Sequence, residues 1–199
     1  MARPTELQLG AASQQWRSVP MTGANMGVEV VPLASFGDTF AILCKFPAGF
    51  QRTTAGGYVV AEEFILLSGE LQLEEVVFQP GQLAFVPAHY LRTNMTSPDG
   101  ALALAWFGGP AIFRAPEELS NAAISGEIPS TMIHSMTDSS PFHTSEASWY
   151  IRQFSGNEDL VMQSDLIDVG LNIWRHVTTE QEPLELVGTF LQRVPGGHH

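Results

Sequence analysis

The stretch that decides the fold runs from residue 56 to residue 94 and reads GGYVVAEEFILLSGELQLEEVVFQPGQLAFVPAHYLRTN. Residues 58–67 and 83–86 are apolar, β-branched and aromatic runs, separated by turn signals at Ser68-Gly69 and Pro80-Gly81. Glu62 and Glu63 interrupt the first run, where a buried strand should tolerate no charge. Strand alternation puts Tyr58, Val60, Glu62, Phe64 and Leu66 on one face. An apolar face with a single acid points Glu62 into a pocket and leaves Glu63 as a surface charge. The opposite assignment, with Glu62 in solvent and Glu63 inward, stays open, as does a twisted edge exposing both.

Working outward, residues 1–15 are polar and without a strong period, and they read as an arm; Trp16 opens the ordered part. Residues 28–32 form a short apolar run, followed by a turn at Phe36-Gly37-Asp38. A strand over 39–46 is closed by Pro47-Ala48-Gly49. Residues 71–78 lie between the two runs of the opening stretch. Ser97-Pro98-Asp99-Gly100 is a hairpin turn, since proline presets φ and glycine ends the turn without strain. Residues 101–107 follow and stop at Gly108-Gly109-Pro110. Short strands about ten residues apart, each bounded by Gly or Pro, predict an all-β sandwich or barrel. No helix separates them, which argues against a parallel α/β fold. The first helical signal is Pro116-Glu117-Glu118, with proline in the first turn and acids at the positive dipole end; Gly126 would stop it. The Ser/Thr-rich residues 124–147 read as a long surface loop, and strand-like runs resume over 149–154, 171–177 and 184–194. An internal echo links TFAILCKFPAGF (39–50) with VGTFLQRVPGGH (187–198), as if a second unit began there.

With 199 residues the chain holds one domain or one and a half. A formal charge of −12 and a single lysine, Lys45, leave no basic surface for nucleic acid or an anionic membrane. Cys44 is the only cysteine, so an intrachain disulfide is impossible, and its apolar surroundings make it a buried structural thiol. No signal peptide opens the chain and no apolar run approaches the roughly 20 residues a membrane span needs. A soluble, cytoplasmic protein is expected. GxSxG, Walker, CxxC and HExxH motifs are lacking, so nucleophilic hydrolase, nucleotide and zinc-peptidase chemistry have no support.

Over residues 25–110 the chain resembles the cupin superfamily, in particular the N-terminal half of duplicated cupins. The Glu62-to-Gly69 spacing with EEFILLSGEL is similar to the end of the family's first motif. GQLAFVP (81–87), with Asn94 nearby, resembles the second. The resemblance implies an all-β, cupin-like double-stranded β-helix (a jelly-roll barrel) over 21–115, preceded by an arm over 1–20. Residues 116–199 would then supply a short helix, a loop and extra C-terminal strands, as an incomplete second cupin unit.

The departures from the family pattern matter more. Cupins usually hold a divalent metal with two first-motif histidines, the glutamate and a second-motif histidine. Here the first two positions fall on Gly56 and Tyr58, or on Ala55 and Gly57, and the last falls on Arg92. Only Glu62 remains of four ligands. A guanidinium cannot ligate a cation and repels one: a unit charge about 4 Å from a divalent ion costs roughly 8 kcal/mol at an effective dielectric near 20. Arg92 is therefore expected to point inward and pair with Glu62, its charge standing in for the ion, with donors left for an acidic or carbonyl-bearing ligand; the alternative is a rim arginine.

The first functional reading is a small-molecule-binding cupin with a degenerate metal site and no cofactor, its ligand held among Tyr58, Glu62, Phe64 and Arg92. The alternative is a cupin oxygenase or lyase acting on a small carbonyl or aromatic compound. That enzyme would need a divalent Fe, Mn, Ni or Zn held by Glu62 and His89. Exposed β edges imply a homodimer. His134 and His143 have no partners at ligand spacing, His176 alternates with Trp174 on a strand and reads as structural, and the four tryptophans read as core or interface aromatics.

Overall fold

Residues 40–46, FAILCKF, are apolar apart from the exposed Lys45, and the structure uses both faces. Ile42, Cys44 and Phe46 join one core, whereas Ala41 and Leu43 join another. A strand buried twice needs a layer on each side. The computed structural model describes residues 3–10, 14–120, 126–156, 163–178 and 186–196, and within them the chain supplies both layers.

The strands in chain order begin with β1 (Glu6–Gln8), β2 (Arg17–Val19), β3 (Val28–Leu33), β4 (Phe40–Phe46), β5 (Phe50–Arg52), β6 (Gly57–Tyr58) and β7 (Glu62–Gly69). Next come β8 (Leu71–Leu73), β9 (Val76–Phe78), β10 (Gln82–Val86), β11 (Met95–Ser97), β12 (Ala101–Phe107) and β13 (Phe113–Arg114). The C-terminal part holds β14 (Ser130–Met132), β15 (Phe142–His143), β16 (Ala147–Gly156), β17 (Ser164–Asp168), β18 (Ile173–Val177) and β19 (Leu186–Pro195). A seven-stranded sheet has the order β14-β10-β7-β12-β4-β3-β2, and a four-stranded sheet the order β5-β11-β8-β9. Between them lies the first core, with Phe64, Leu66, Ala103 and Phe107 from the larger sheet and Phe50, Leu71, Phe78 and Met95 from the smaller. This is the barrel.

The third layer is a six-stranded sheet of order β1-β18-β17-β19-β16-β15, packed on the outer face of the seven-stranded one. Trp106 of the barrel meets Trp149 edge-on at 5.1 Å, with Trp174 buried nearby. A buried tryptophan removes about 150–250 Å² from water. At about 25 cal/mol per Å² that is roughly 4–6 kcal/mol gross for each ring, so apolar burial is the main bond between the layers. Charges then fix its register. Glu63 is fully buried and accepts from Thr144, from Trp149 Nε1 at 2.9 Å and from Arg193 Nε at 2.8 Å. Asp165, also buried, accepts from Trp106 Nε1 at 2.9 Å and lies 2.9 Å from His176 Nδ1.

The two sheets that share this interface are related. Both run through five strands in the same order of chain and of space: β3, β4, β7, β10 and β12 in the barrel match β15, β16, β17, β18 and β19. The matching extends to the charges. In the barrel Glu63 sits opposite Trp106 on β12, and in the second sheet Asp165 sits opposite Arg193 on β19. The partners cross over, Arg193 bonding Glu63 and Trp106 bonding Asp165. In the barrel, residues 47–61, 70–81 and 87–100 connect these strands and carry β5, β6, β8, β9 and β11. The matching connections are shorter, at 157–163, 169–172 and 178–185. Among the described residues the second unit is thus one sheet, with the strand order of the barrel's larger sheet.

Several expectations need correction. Glu63 is a buried interface charge and not a surface one. The helix at Pro116 is a single 3-10 turn over Pro116–Glu118, because Leu119 is already extended at φ −82°, ψ 114°; residues 121–125 lie outside the described residues. The 124–147 loop contributes β14, which pairs with β10, and β15, which pairs with β16. The echo of β4 in β19 is not structural, since β19 corresponds to β12; its last residues, 197–199, lie outside the described residues. The stretch read as an arm pairs at both ends, β1 with β18 and β2 with β3. No helix among the described residues is long and apolar enough to cross a membrane.

Candidate functional site

The site begins with two glycines. A Cβ on Gly57 would stand 2.3 Å from the carbonyl oxygen of Tyr90, so only glycine lets the segment before β7 close on residues 90–92. That contact is sealed by a reciprocal pair of backbone bonds, Gly56 N to Arg92 O at 3.0 Å and Arg92 N to Gly56 O at 2.8 Å. The backbone of Arg92 is thereby clamped at the barrel wall, and its side chain goes inward, 3% exposed. Arg92 Nη2 lies 2.7 Å from Glu62 Oε2, whose side chain is 12% exposed. The guanidinium also stacks over the Tyr58 ring, 4.6 Å from its centroid, a cation–π contact. Arg92 Nε is buried without a hydrogen-bond partner among the described residues.

These groups line a cavity of about 220 Å³ inside the barrel. Its walls are mostly apolar, with Val30, Ile42, Phe64, Phe107 and Phe113 prominent, and Ala103 and Ala105 on β12 leave the room that larger side chains would fill. Tyr58 meets Phe107 and Phe113 edge-on at 5.5 and 5.7 Å. Cys44 lines the same cavity; burial first and the Glu62 charge second push its thiol up, so it is a neutral group and no nucleophile.

Sequence reasoning missed Arg52. It is 1% exposed, lies on β5 with Phe50 facing the core and Gln51 facing out, and could have been found by the alternation of FQR. Its Nη1 donates to the Tyr58 hydroxyl at 3.4 Å, and its Cζ sits 4.5 Å from the Phe113 centroid. Burial pulls its pKa down and Arg92 adds to that, whereas Tyr58 and Glu62 act the other way. No carboxylate pairs with it directly among the described residues.

The residues do not fit the divalent metal that the resemblance to cupins implies. The one carboxylate in the cavity faces a guanidinium, and no three His, Cys, Asp or Glu side chains converge among the described residues. His89 is not in the cavity wall; its Nε2 lies 3.4 Å from Ser120 Oγ and its backbone is left-handed at φ 62°. Asn94 also stands apart, its backbone N–H donating to Glu74. His143 pairs with Ser148, and His176 lies in the interface with Asp165.

No family model matches the chain, and no curated protein matches it. By fold it is similar to a Nostoc punctiforme protein provisionally described as a dioxygenase, at 11% identity, covering 95% of this chain and 86% of that one with a TM-score of 0.62. Protein Ylba from E. coli is similar at 10% identity over 98% of this chain and 91% of its own, TM-score 0.55. A Pseudomonas aeruginosa protein, provisionally described as glyoxylate-induced, is similar at 12% identity over 92% and 85%, TM-score 0.52. The fold is all-β and of the cupin type. At such identities the likeness concerns the fold alone.

Proposed function

We propose that the protein binds a small organic molecule inside the barrel without the help of a metal, in a cupin site that has lost its ligands. Tyr58 and Phe64 form walls, Arg92 supplies the polar anchor and Glu62 holds Arg92 in position. The observation that carries this reading is the buried guanidinium at the cavity wall, paired at 2.7 Å on one side and with Nε unpartnered. A buried donor without a partner costs about 1–3 kcal/mol, which a ligand oxygen would recover. A mostly apolar cavity with a few convergent polar groups is the usual form of a small-molecule site.

Elemental analysis of protein purified without chelator, followed by thermal-shift screening against organic acids and carbonyl compounds, tests the proposal. The expected result is substoichiometric metal and a ligand-dependent rise in Tm that Arg92→Met abolishes. Stoichiometric Fe, Mn, Ni or Zn that is lost in Glu62→Gln would overturn it and favour the oxygenase or lyase alternative.

A further inference from the structure

The charges buried in the barrel do not cancel. Arg52 and Arg92 are 1% and 3% exposed, and the carboxylate among them is that of Glu62. The Cys44 thiol is neutral. The described residues around Tyr58 therefore leave one positive charge unmatched in an apolar interior, an arrangement that is costly unless a counter-ion joins it. We propose that the cavity selects a monocarboxylate with a compact apolar body, with Arg92 and Tyr58 taking its carboxylate and Arg52 supplying the balancing charge. The inference rests on the small-molecule reading above and adds the ligand's charge and class.

Each part of the ligand has a matching observation. Arg92 offers Nε, which has no partner among the described residues, beside an Nη2 already on Glu62. The Tyr58 hydroxyl accepts from Arg52, so its own hydrogen is free to be donated. One guanidinium and one phenol suit a carboxylate. A dianion such as a phosphate monoester would overshoot, turning a surplus of one positive charge into a deficit of one. The body must be apolar, because Val30, Ile42, Phe64, Phe107 and Phe113 present no polar side-chain atom. A dry cavity of about 150 Å³ accepts benzene, so about 220 Å³ suits a single ring or branched alkyl group with a short acid arm.

Isothermal calorimetry with phenylacetate and its neutral analogue phenylacetamide, on the full chain at pH 7, is the test. The expected result is phenylacetate binding on the order of 10- to 100-fold tighter than the amide, from charge-assisted bonds. In Arg52→Gln that preference falls to about threefold or less. Arg52→Lys, which keeps the charge, retains most of the preference. The comparison on the wild-type chain decides the matter even if neither variant folds. Equal binding of acid and amide overturns the charge assignment and leaves the small-molecule reading standing. Tighter binding of phenyl phosphate than of phenylacetate overturns the monoanion assignment. No binding of any of the three at millimolar concentration overturns this proposal, and failure of the broader thermal-shift panel would add the reading beneath it.

Discussion

Replacing Arg92 by methionine puts the cavity's ion pair to a quantitative test. Methionine fills much of the arginine stem's volume and adapts to irregular gaps, so packing loss is kept small. What is lost is the charge. The pair is 3% and 12% exposed, with Nη2 and Oε2 2.7 Å apart. Charge centres about 4 Å apart attract by about 4 kcal/mol at an effective dielectric near 20. Removing one member of a buried pair costs about 3–5 kcal/mol, because the other is stranded. Arg52, also buried close to Tyr58, relieves part of this, which places Arg92→Met at the lower end, about 3 kcal/mol. For a chain of this length each kcal/mol moves Tm by about 2–4 °C, so a fall of about 6–12 °C is expected. The double variant Glu62→Met with Arg92→Met strands neither partner, and apolar replacement of a whole buried pair is often neutral. It should recover at least half of the loss. Urea unfolding of the wild type, both single variants and the double variant gives the coupling energy directly. A coupling below about 0.5 kcal/mol would refute the reasoning, since contacting charges couple by more than that.

Three further outcomes follow from the same geometry. Trp106→Phe keeps the ring packing but removes the 2.9 Å bond to Asp165, and should cost about 1.5–3 kcal/mol in urea unfolding without changing ligand affinity, because it faces away from the cavity. Gly69 has φ +78° and a Cβ there would meet the Gly100 carbonyl oxygen at 2.1 Å; Gly69→Ala should lose at least about 2 kcal/mol, seen as a Tm lower by more than about 4 °C. Cys44 has a thiol raised by burial and by Glu62 above its ordinary 9.0, so it contributes stability that is full below about pH 9 and is lost as pH rises further, by up to about 1.4 kcal/mol per unit. Cys44→Ala should flatten that alkaline loss, and the native thiol should stay unmodified by a thiol reagent at about pH 8; rapid labelling would contradict its burial.

Much of the barrel was legible because its strands obey simple rules. Glycine and proline bound each run, and alternation assigns Tyr58, Glu62 and Phe64 to one face, which is where the structure places them. Arg92 stood out because it falls where the family carries a metal ligand. Three features were hidden for physical reasons. Glu63 reads as a surface charge because its partners are 81, 86 and 130 residues away, at Thr144, Trp149 and Arg193, and local patterning carries no trace of them. Strand β17, SDLID, is half polar because Asp165 serves that same interface, so no apolar run marks it. The alignment of the second unit was hidden because topology is preserved while sequence is not: the short echo aligned β4 with β19, whereas the sheet order aligns β12 with β19.

The adjacent acids of β7 explain why a cavity in one layer needs the layer behind it. Glu62 and Glu63 point to opposite faces of one strand, so whatever holds Glu63 also sets the height of Glu62 over the cavity. Glu63 is held by Trp149 and Arg193 of the six-stranded sheet, and Trp106, opposite Glu63 on β12, is held by Asp165. With its outer face in water, β7 would have its register set by Phe64 and Leu66 on the inner face alone, and no outer contact would oppose a slip. With the six-stranded sheet in place, a one-residue slip would bury Glu62 against Trp149 and turn Glu63 toward Arg92, leaving Arg193 and Asp165 mispaired at once. The same crossed contacts that join the two units therefore fix which carboxylate faces Arg92. A second sheet suffices for that task, since Trp149, Asp165 and Arg193, which hold Glu63 and Trp106, all lie on β16, β17 and β19.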